Sequence, residues 1–459
     1  MANVTQEPKY STKEEVLKRA QEAINIPLGD IDKTGRLQTG KGAIGTVLEE
    51  SWFGYTPNSK AEPDFAEAGV ELKATPYVKT KTGIRAKERL VCNIINYMTE
   101  YSKTFYTSDF WHKCETILIM SYEHKPDCPK TDFTVDRAIL FSFPMEDLVI
   151  IEHDWETIIN KIRAGQAHLL TEGDTLYLAA CTKGASAASV RQQPFSDIPA
   201  KQRAYSLKSS YMTSILNRFI FGTEEDEHIV KDWHDLADGD FKDYITRKLE
   251  PYIGKTTDEL METFGVGRSK SYTYHILSNM LGIKGNIAKS EEFKKAGIVP
   301  KTVVFSPEKK LRENMSFRPF QFKKLIEETW EESTLREELE PTIFMFTIFE
   351  ELPGGKPGHR NCVFRGVKFW NMPAEDLEGV RVVWERTVQT IRDGVQLIPD
   401  GKRVRNNLPK QRENRVAHVR PHAQNKEDTY PLPDGREMTK QSFWLNNSYI
   451  ADILSDVLE

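Results

Sequence analysis

Apolar and polar residues alternate through Val70-Glu-Leu-Lys-Ala-Thr75. Side chains two apart in a strand share a face. The pattern therefore predicts a strand with Val70, Leu72 and Ala74 toward a core and Glu71 and Lys73 together on the polar side. Further on, Trp111-His-Lys113-Cys-Glu-Thr leads into the apolar run Ile117-Leu-Ile-Met120, which predicts a buried strand. Trp155, Ile158, Ile159 and Ile162 recur at helical spacing, and Gly165 suits the end of that helix. Such a stripe is core packing. Near the start, Ser11 followed by Glu14 has the form of a capping box opening a helix.

These patterns return later in the chain. Asp64-Phe-Ala-Glu-Ala-Gly-Val-Glu71-Leu-Lys73-Ala-Thr-Pro-Tyr77 aligns without a gap on Glu292-Phe-Lys-Lys-Ala-Gly-Ile-Val299-Pro-Lys301-Thr-Val-Val-Phe305. Gly54 precedes the first segment at the spacing by which Gly282 precedes the second. Trp155 to Gly165 matches Trp384 to Gly394, and Leu207 to Tyr211 matches Leu445 to Tyr449. The repeats predict two tandem copies of one α/β fold. The acidic stretch Gly222-Thr-Glu-Glu-Asp-Glu-His228 reads as the linker. The expected division is 1–222, linker 223–238 and 239–459. Pro353-Gly-Gly-Lys-Pro-Gly358 reads as a surface loop of the second copy.

The first copy carries chemistry that the second has lost. Asp64 lies before Glu71 across the turn-forming Gly69 and could fold back onto the face of Glu71 and Lys73. Two carboxylates on one face suit Mg²⁺, a hard cation that prefers oxygen ligands and keeps several waters. Such a cation activates water for attack on a phosphodiester and stabilises charge on the phosphate. Lys73 can hold that water or neutralise the developing charge. Taken alone, the motif also fits an exposed edge strand with an ion pair. In the second copy Val299 stands where Glu71 stands and cannot bind metal. Glu292, in the place of Asp64, could still do so, and Lys301 keeps the place of Lys73.

Composition narrows the partners. The 459 residues leave room for two or three domains. Charged residues make up 29% and the net charge is −5, so no global cationic field marks a nucleic-acid binder. Basic character is local, in Lys79, Lys81, Arg85, Lys87 and Arg89 and again in Lys402, Arg403, Arg405, Lys410, Arg412, Arg415 and Arg420. Either run could contact phosphates or be a solvated loop. The five cysteines, Cys92, Cys114, Cys128, Cys181 and Cys362, lack metal-ligand spacing and fit reduced thiols of a cytoplasmic protein. Cys114 reads as core. None of the ten histidines forms a zinc signature; Pro421 between His418 and His422 argues against a ligand helix. No apolar run approaches the length of a membrane span.

At these residues the chain resembles the MutH family and, more closely, the Sau-type GATC restriction endonucleases. The match is carried by Gly69-Val-Glu-Leu-Lys-Ala-Thr-Pro76, Glu88-Arg-Leu-Val-Cys-Asn-Ile-Ile-Asn-Tyr97, Asp154-Trp-Glu156, Cys181-Thr-Lys-Gly-Ala185 and Lys201 through Leu216. Later, His418-Val-Arg-Pro-His422 and Met438 through Asn447 also resemble the restriction-enzyme type. The likeness spans nearly the whole chain, including the second half that MutH lacks.

The resemblance implies a restriction-endonuclease-like core of the PD-(D/E)xK class, in tandem, the second copy degenerate. It implies that Asp64 and Glu71 hold Mg²⁺ and that Lys73 completes the site. A further family glutamate, on the helix before Trp52-Phe-Gly54, maps onto Glu49 or Glu50, with Glu49 favoured; the sequence has one extra residue there. A family lysine maps onto Lys113. In the second copy the counterparts are Leu277 and Ser278 for Glu49 and Glu50, and a position near Glu338 or Leu339 for Lys113. The resemblance places Lys183 and Gly184, and Ser206 and Lys208, at DNA; Arg403, Arg405 and Arg420 are the corresponding expectation for the second half. MutH's recognition arginine falls on Cys181 and its methylation-sensing tyrosine on Ser206, so its methylation behaviour does not transfer.

The expected function is that of a type II restriction endonuclease making Mg²⁺-dependent double-strand cuts at GATC. A catalytically dead second half would bind a second site and activate the first. The expected partner is duplex DNA containing GATC, with a monomer in solution that associates or loops on DNA, and no membrane. The alternatives are a MutH-like nicking repair endonuclease and a non-enzymatic DNA-binding protein; the intact Asp64, Glu71 and Lys73 argue against the latter.

Overall fold

The computed structural model describes residues 10–38, 42–57, 62–81, 83–184, 189–223, 226–236, 239–354, 361–401 and 403–458, with Arg403 described by its backbone only. Lys402 of the second basic run and most of the Pro/Gly-rich loop lie outside the described residues. The chain divides into two compact units. One is Met1–Asp240 together with Ser290–Gly297; the other is Phe241–Lys289 together with Ile298–Glu459.

The first unit is built on a four-stranded sheet in the order Gly83–Ala86, Glu71–Thr80, Ile117–Glu123, Arg137–Phe141. Glu71–Thr80 runs parallel to Ile117–Glu123, with Glu71 opposite Ile117 and Lys73 opposite Ile119; the outer pairs are antiparallel. A parallel pair needs a crossover. This one contains the helix Asp109–Cys114 and a second sheet's first strand, Leu90–Ile94, which pairs with Arg203–Leu207 and through it with Leu178–Thr182.

Ile117 to Met120 are fully buried, as their continuous apolar run predicts. The alternation at Glu71 behaves differently. Val70 and Leu72 are buried as expected, but Glu71 is itself only 1% exposed. Both faces of the strand are covered at its start, so the expectation of an open polar face gives way to a buried charged one.

The helix Met145–Arg163 buries Ile150, Ile151, Trp155, Ile158, Ile159 and Ile162, the predicted stripe extended by one turn. Burial of each such side chain is worth about 1.5–3 kcal/mol. Gly165 follows at φ +69°, where a Cβ would meet the carbonyl oxygen of Phe195 at 2.5 Å. Glycine is therefore required there by conformation and by space. The opening helix is Lys13–Gln21, and its capping box sits one residue later than the sequence pattern indicated. Thr12 accepts from the amide of Glu15 at 3.2 Å, and Glu15 accepts from the amides of Thr12 and Ser11. The stretch 223–238, expected as a linker, belongs to the first unit, with Ile229 and Leu236 buried.

The segment Ser290–Gly297 also completes the first unit. Lys295, 2% exposed, meets Asp147 at 2.8 Å and Glu291 at 3.3 Å. Tyr211 donates to the other Asp147 oxygen at 2.9 Å, and Ser214 donates to Glu291 at 3.1 Å.

The second unit holds a three-stranded sheet in the order Ile298–Phe305, Ile343–Glu351, Cys362–Trp370. Its first pair is parallel, with Val299 opposite Phe344 and Lys301 opposite Phe346; its second is antiparallel with a bulge at Ile348 and Phe349. Met315–Ser316, Gln441–Leu445 and Ala417–Pro421 form another sheet. The helix Ala374–Asp393 buries Val380, Val383, Trp384, Val388 and Ile391. Two short hairpins, Leu397–Asp400 with Arg403–Asn406 and Thr429–Pro431 with Glu437–Thr439, complete it. No helix among the described residues is long and apolar enough to cross a membrane.

Candidate active site

Asp64, Glu71, Lys73, Lys113 and Glu49 come together in the first unit. Glu71 sits at the first position of its strand, its amide donating to the Thr116 carbonyl at 3.0 Å. Its Oε1 lies 2.7 Å from Lys73 Nζ and its Oε2 3.2 Å from Lys113 Nζ. The turn at Gly69, φ +63°, brings Asp64 back. Asp64 Oδ2 accepts from the Leu72 amide at 3.0 Å, while the Asp64 amide donates to Glu71 Oε2 at 3.2 Å. These reciprocal bonds fix both acids to the same stretch of backbone.

Lys113 comes from the last turn of the helix Asp109–Cys114, which Ser108 caps by accepting from the Trp111 amide at 3.0 Å. Lys113 also donates to the Glu62 carbonyl at 3.2 Å. Glu49 lies in a π-helical turn, Leu48–Phe53, that continues the helix Ala43–Val47. The turn ends on Phe53, whose ring packs against Phe65 at 4.8 Å. Phe65 follows Asp64, so this aromatic contact ties the Glu49 turn to the Asp64 loop. Glu50 points to a different partner, Arg36 Nε at 2.6 Å. Of the two candidate glutamates, Glu49 is the one that Asp64 and Glu71 act on electrostatically.

The electrostatics mark a site short of positive charge. Burial, then the charges of Asp64 and Glu71, push the Glu49 carboxyl up to about 7. Burial also raises Glu71, against the pull of Lys73 and Lys113. Burial works against the Lys73 ammonium, but Glu71 outweighs it and holds the pKa above its ordinary value. Three carboxylates thus face two ammoniums, an excess of one negative charge when all are ionised. Among the described residues no three His, Cys, Asp or Glu side chains are gathered tightly enough to hold a metal by themselves. Mg²⁺ needs only one or two carboxylates plus waters, and the hard oxygens of Asp64 and Glu71 fit it.

Sequence reasoning had no access to the backbone partners, the carbonyls of Glu62 and Thr116, because a carbonyl has no residue signature. It also missed the pairing of Cys92 with Cys114 behind Lys73. Hydrogen bonding from Cys92, with complete burial, raises the Cys114 thiol well above its usual range. Asp154 turns out to be a support: its oxygens accept from the amides of Leu176, Tyr177 and Leu178, at 2.6, 2.6 and 2.9 Å.

The expected DNA-contact residues divide. Lys183 and Gly184 are exposed at the end of the strand Leu178–Thr182, with the Lys183 amide bonded to the Gln202 carbonyl at 2.8 Å. Lys81, Arg85 and Lys87 are exposed on and beside the Gly83–Ala86 hairpin. Ser206 and Lys208 are a correction. Ser206 is fully buried and Lys208 is 4% exposed, with its ammonium donating to the Thr175 carbonyl. Both side chains are buried, Ser206 within the second sheet and Lys208 just beyond its middle strand. In the second unit Arg405 is exposed and pairs with Asp400 at 2.7 Å, and the Arg420 guanidinium lies 4.8 Å from the Trp444 ring centre. The Arg403 side chain lies outside the described residues.

Among the described residues, the segment that aligns with the site strand carries no acid in the place of Glu71. Val299 occupies the strand position of Glu71, and Lys301 is half-buried. Glu292, expected as a residual ligand, has its oxygens engaged at 3.0 Å each by the amides of Ile229 and Val230.

Comparison with known proteins agrees with this geometry. The family model described as DNA mismatch repair enzyme MutH matches residues 53–154, which hold Asp64, Glu71, Lys73 and Lys113. The chain is 40% identical to the type II restriction enzyme Sau3AI of Staphylococcus aureus, over 98% of this chain and 99% of that protein. It is 31% identical to the DNA mismatch repair protein MutH of Shewanella woodyi and 29% identical to that of Escherichia coli, each over 45% of this chain. These matches cover 92% and 93% of the two MutH proteins. With an identity of this size running end to end, the chain belongs to the MutH-like restriction endonuclease family that includes Sau3AI.

Proposed function

We propose that this type II restriction endonuclease cuts both strands of duplex DNA at GATC with Mg²⁺ held by Asp64 and Glu71. The observation that carries the reading is Glu71, buried between Lys73 and Lys113 with Asp64 hydrogen-bonded to the same strand. Bound there, Mg²⁺ would activate water for attack on phosphorus and neutralise charge on the phosphate. Asp64 commits one oxygen to the Leu72 amide and offers the other to the cation. Glu49, next to both acids, adds to the negative potential that attracts it. Lys73 stands beside the position where charge develops on the phosphate, already aligned by Glu71. Lys113, tethered to the Glu62 carbonyl, keeps Glu71 in one orientation. Base readout falls to the Thr182-Lys183-Gly184 loop, because specificity needs side chains at base edges rather than at phosphates.

The second half, 239–459, is a degenerate copy of the nuclease fold that binds a further GATC site, with DNA-induced association or looping, and activates the first. Three features support this. Ile298–Phe305 and Ile343–Glu351 repeat the parallel pairing of the site strand. An antiparallel strand and then the long helix carrying Trp384 follow in the same order. Arg405 and Arg420 present cations on its surface.

Digestion of a plasmid in Mg²⁺, with sequencing of the ends, tests the reading. Ends cut on both strands at GATC are expected. Nicks in one strand would favour the repair-enzyme alternative, and intact plasmid would overturn nuclease action.

A further inference from the structure

The replaced residues of the second unit form a pattern of their own, and the inference here rests on reading that unit as a degenerate copy. Ser333 caps the helix Thr334–Leu339 as Ser108 caps Asp109–Cys114, each after a 3-10 turn, Trp330–Glu332 and Phe105–Thr107 respectively. Counted from these caps, Glu338 stands where Lys113 stands. Met315 pairs with Leu445 as Leu90 pairs with Leu207, and counting from there puts Arg318 in the place of Asn93. Arg318 Nε lies 3.2 Å from Glu338 Oε1, and the Arg318 side chain is 84% exposed. Lys301, the counterpart of Lys73, is half-buried. Its pKa is lowered by burial, with Glu338 pulling weakly the other way, and its ammonium pairs with no polar group among the described residues.

The charge balance has therefore been inverted. In the first unit three carboxylates meet two ammoniums, and a phosphate is repelled until a divalent cation arrives. In the second, Lys301 and Arg318 share the carboxylate of Glu338, and Lys324 and Glu328 in the Arg318 cleft offset one another. One positive charge is left over, the balance that the first site would reach only after binding a divalent cation. Burial against only a weak counter-charge, one that Glu338 shares with Arg318, leaves the Lys301 ammonium in need of an anion. Arg318 presents the planar donor fork that suits a phosphate. Arg318 and Glu338 line one cleft with Lys324 and Glu328; Lys301 lines another, with Arg312, Glu313 and Glu351.

We propose that the degenerate site binds a phosphodiester of duplex DNA directly, through Lys301 and Arg318, with no metal ion. The two halves then differ in kind: cleavage by the first depends on a divalent cation, whereas phosphate binding by the second needs none.

The test uses the full chain and a fluorescent GATC duplex, titrated in EDTA and again in Ca²⁺. The wild-type chain is expected to bind in EDTA. Lys301→Ala with Arg318→Ala is expected to weaken that binding at least tenfold and to flatten the slope of log affinity against log salt by about 1. Lys301→Arg with Arg318→Lys should keep most of the affinity. Glu338→Gln should tighten binding in EDTA several-fold, a gain that misfolding cannot produce. Failure of the wild type to bind without metal would overturn the proposal. So would an unchanged affinity and slope in the double alanine variant, or weaker binding by Glu338→Gln. Plasmid cleavage in Mg²⁺ by the wild-type chain is scored separately, so loss of the nuclease reading and loss of this one give different results.

Discussion

Glu71 is buried before it is used, and that explains its neighbours. A carboxylate at 1% exposure must be compensated, and Lys73, Lys113 and the Asp64 amide do so from three directions. Glu71→Ala and Asp64→Ala are each expected to reduce Mg²⁺-dependent cleavage by a thousandfold or more. Loss of a metal ligand removes several kcal/mol at about 1.4 kcal/mol per tenfold. DNA binding should be retained, and cleavage rates within tenfold of wild type would remove both residues from the metal site. Lys183→Ala should slow cleavage at GATC strongly, as read by the cutting rate on a one-site plasmid; a normal rate would move recognition elsewhere. The acids at 64 and 71 and the lysine at 73 were legible because a strand and a tight turn fix their geometry locally. Glu49 was legible only to within one residue. The reason is now visible in the π-helical turn Leu48–Phe53, which accommodates an extra residue within a helix and so shifts the register that a count assumes.

Helices and strands were legible where period and burial agreed. The stripe from Trp155 to Ile162 and the run Ile117 to Met120 fall in place because packing alone decides them. Ser206 and Lys208 were placed at DNA by resemblance alone; Ser206 lies in the middle strand of the second sheet and Lys208 just after it, and both are buried. Gly165 gives a prediction at this scale. Gly165→Ala would set a methyl 2.5 Å from the Phe195 carbonyl oxygen at a φ that disfavours side chains. A loss of about 1–3 kcal/mol is expected, measured as a lower denaturation midpoint; an unchanged midpoint would mean that the Phe195 turn yields freely.

At the scale of the whole chain, a catalytic half joined to a second half that binds its own DNA site, as proposed, would make cleavage depend on how many sites the DNA carries. Two-site plasmids should be cut faster than one-site plasmids, and a short GATC duplex added in trans should stimulate the latter, as expected of two sites coupled by a free energy. Equal rates without stimulation would reduce the second half to a structural clamp. The repeats gave an expected division at 222 and 239 without the interleaving of Ser290–Gly297, since nothing in the sequence marks Lys295 as the partner of Asp147. A fragment ending at residue 222 would lack Ser290–Gly297 and leave Asp147 buried without its cation, a cost of about 3–5 kcal/mol. Asp147→Asn should therefore raise the melting temperature of that fragment by about 5 °C or more and lower that of the full chain. A fall in both would show that Asp147 does not depend on Lys295.

The same segment constrains how such proteins can descend. Two units that follow one another along a chain are ordinarily free to be split into two genes, or to trade places with those of a relative at the junction. Here a crossover between residues 240 and 290 would separate the first unit from part of its own interior. An incoming half would bring its own residue to stand opposite Asp147, so viable recombinants must change both positions together. The two stretches of sequence are thus bound into one heritable module by a single buried lysine.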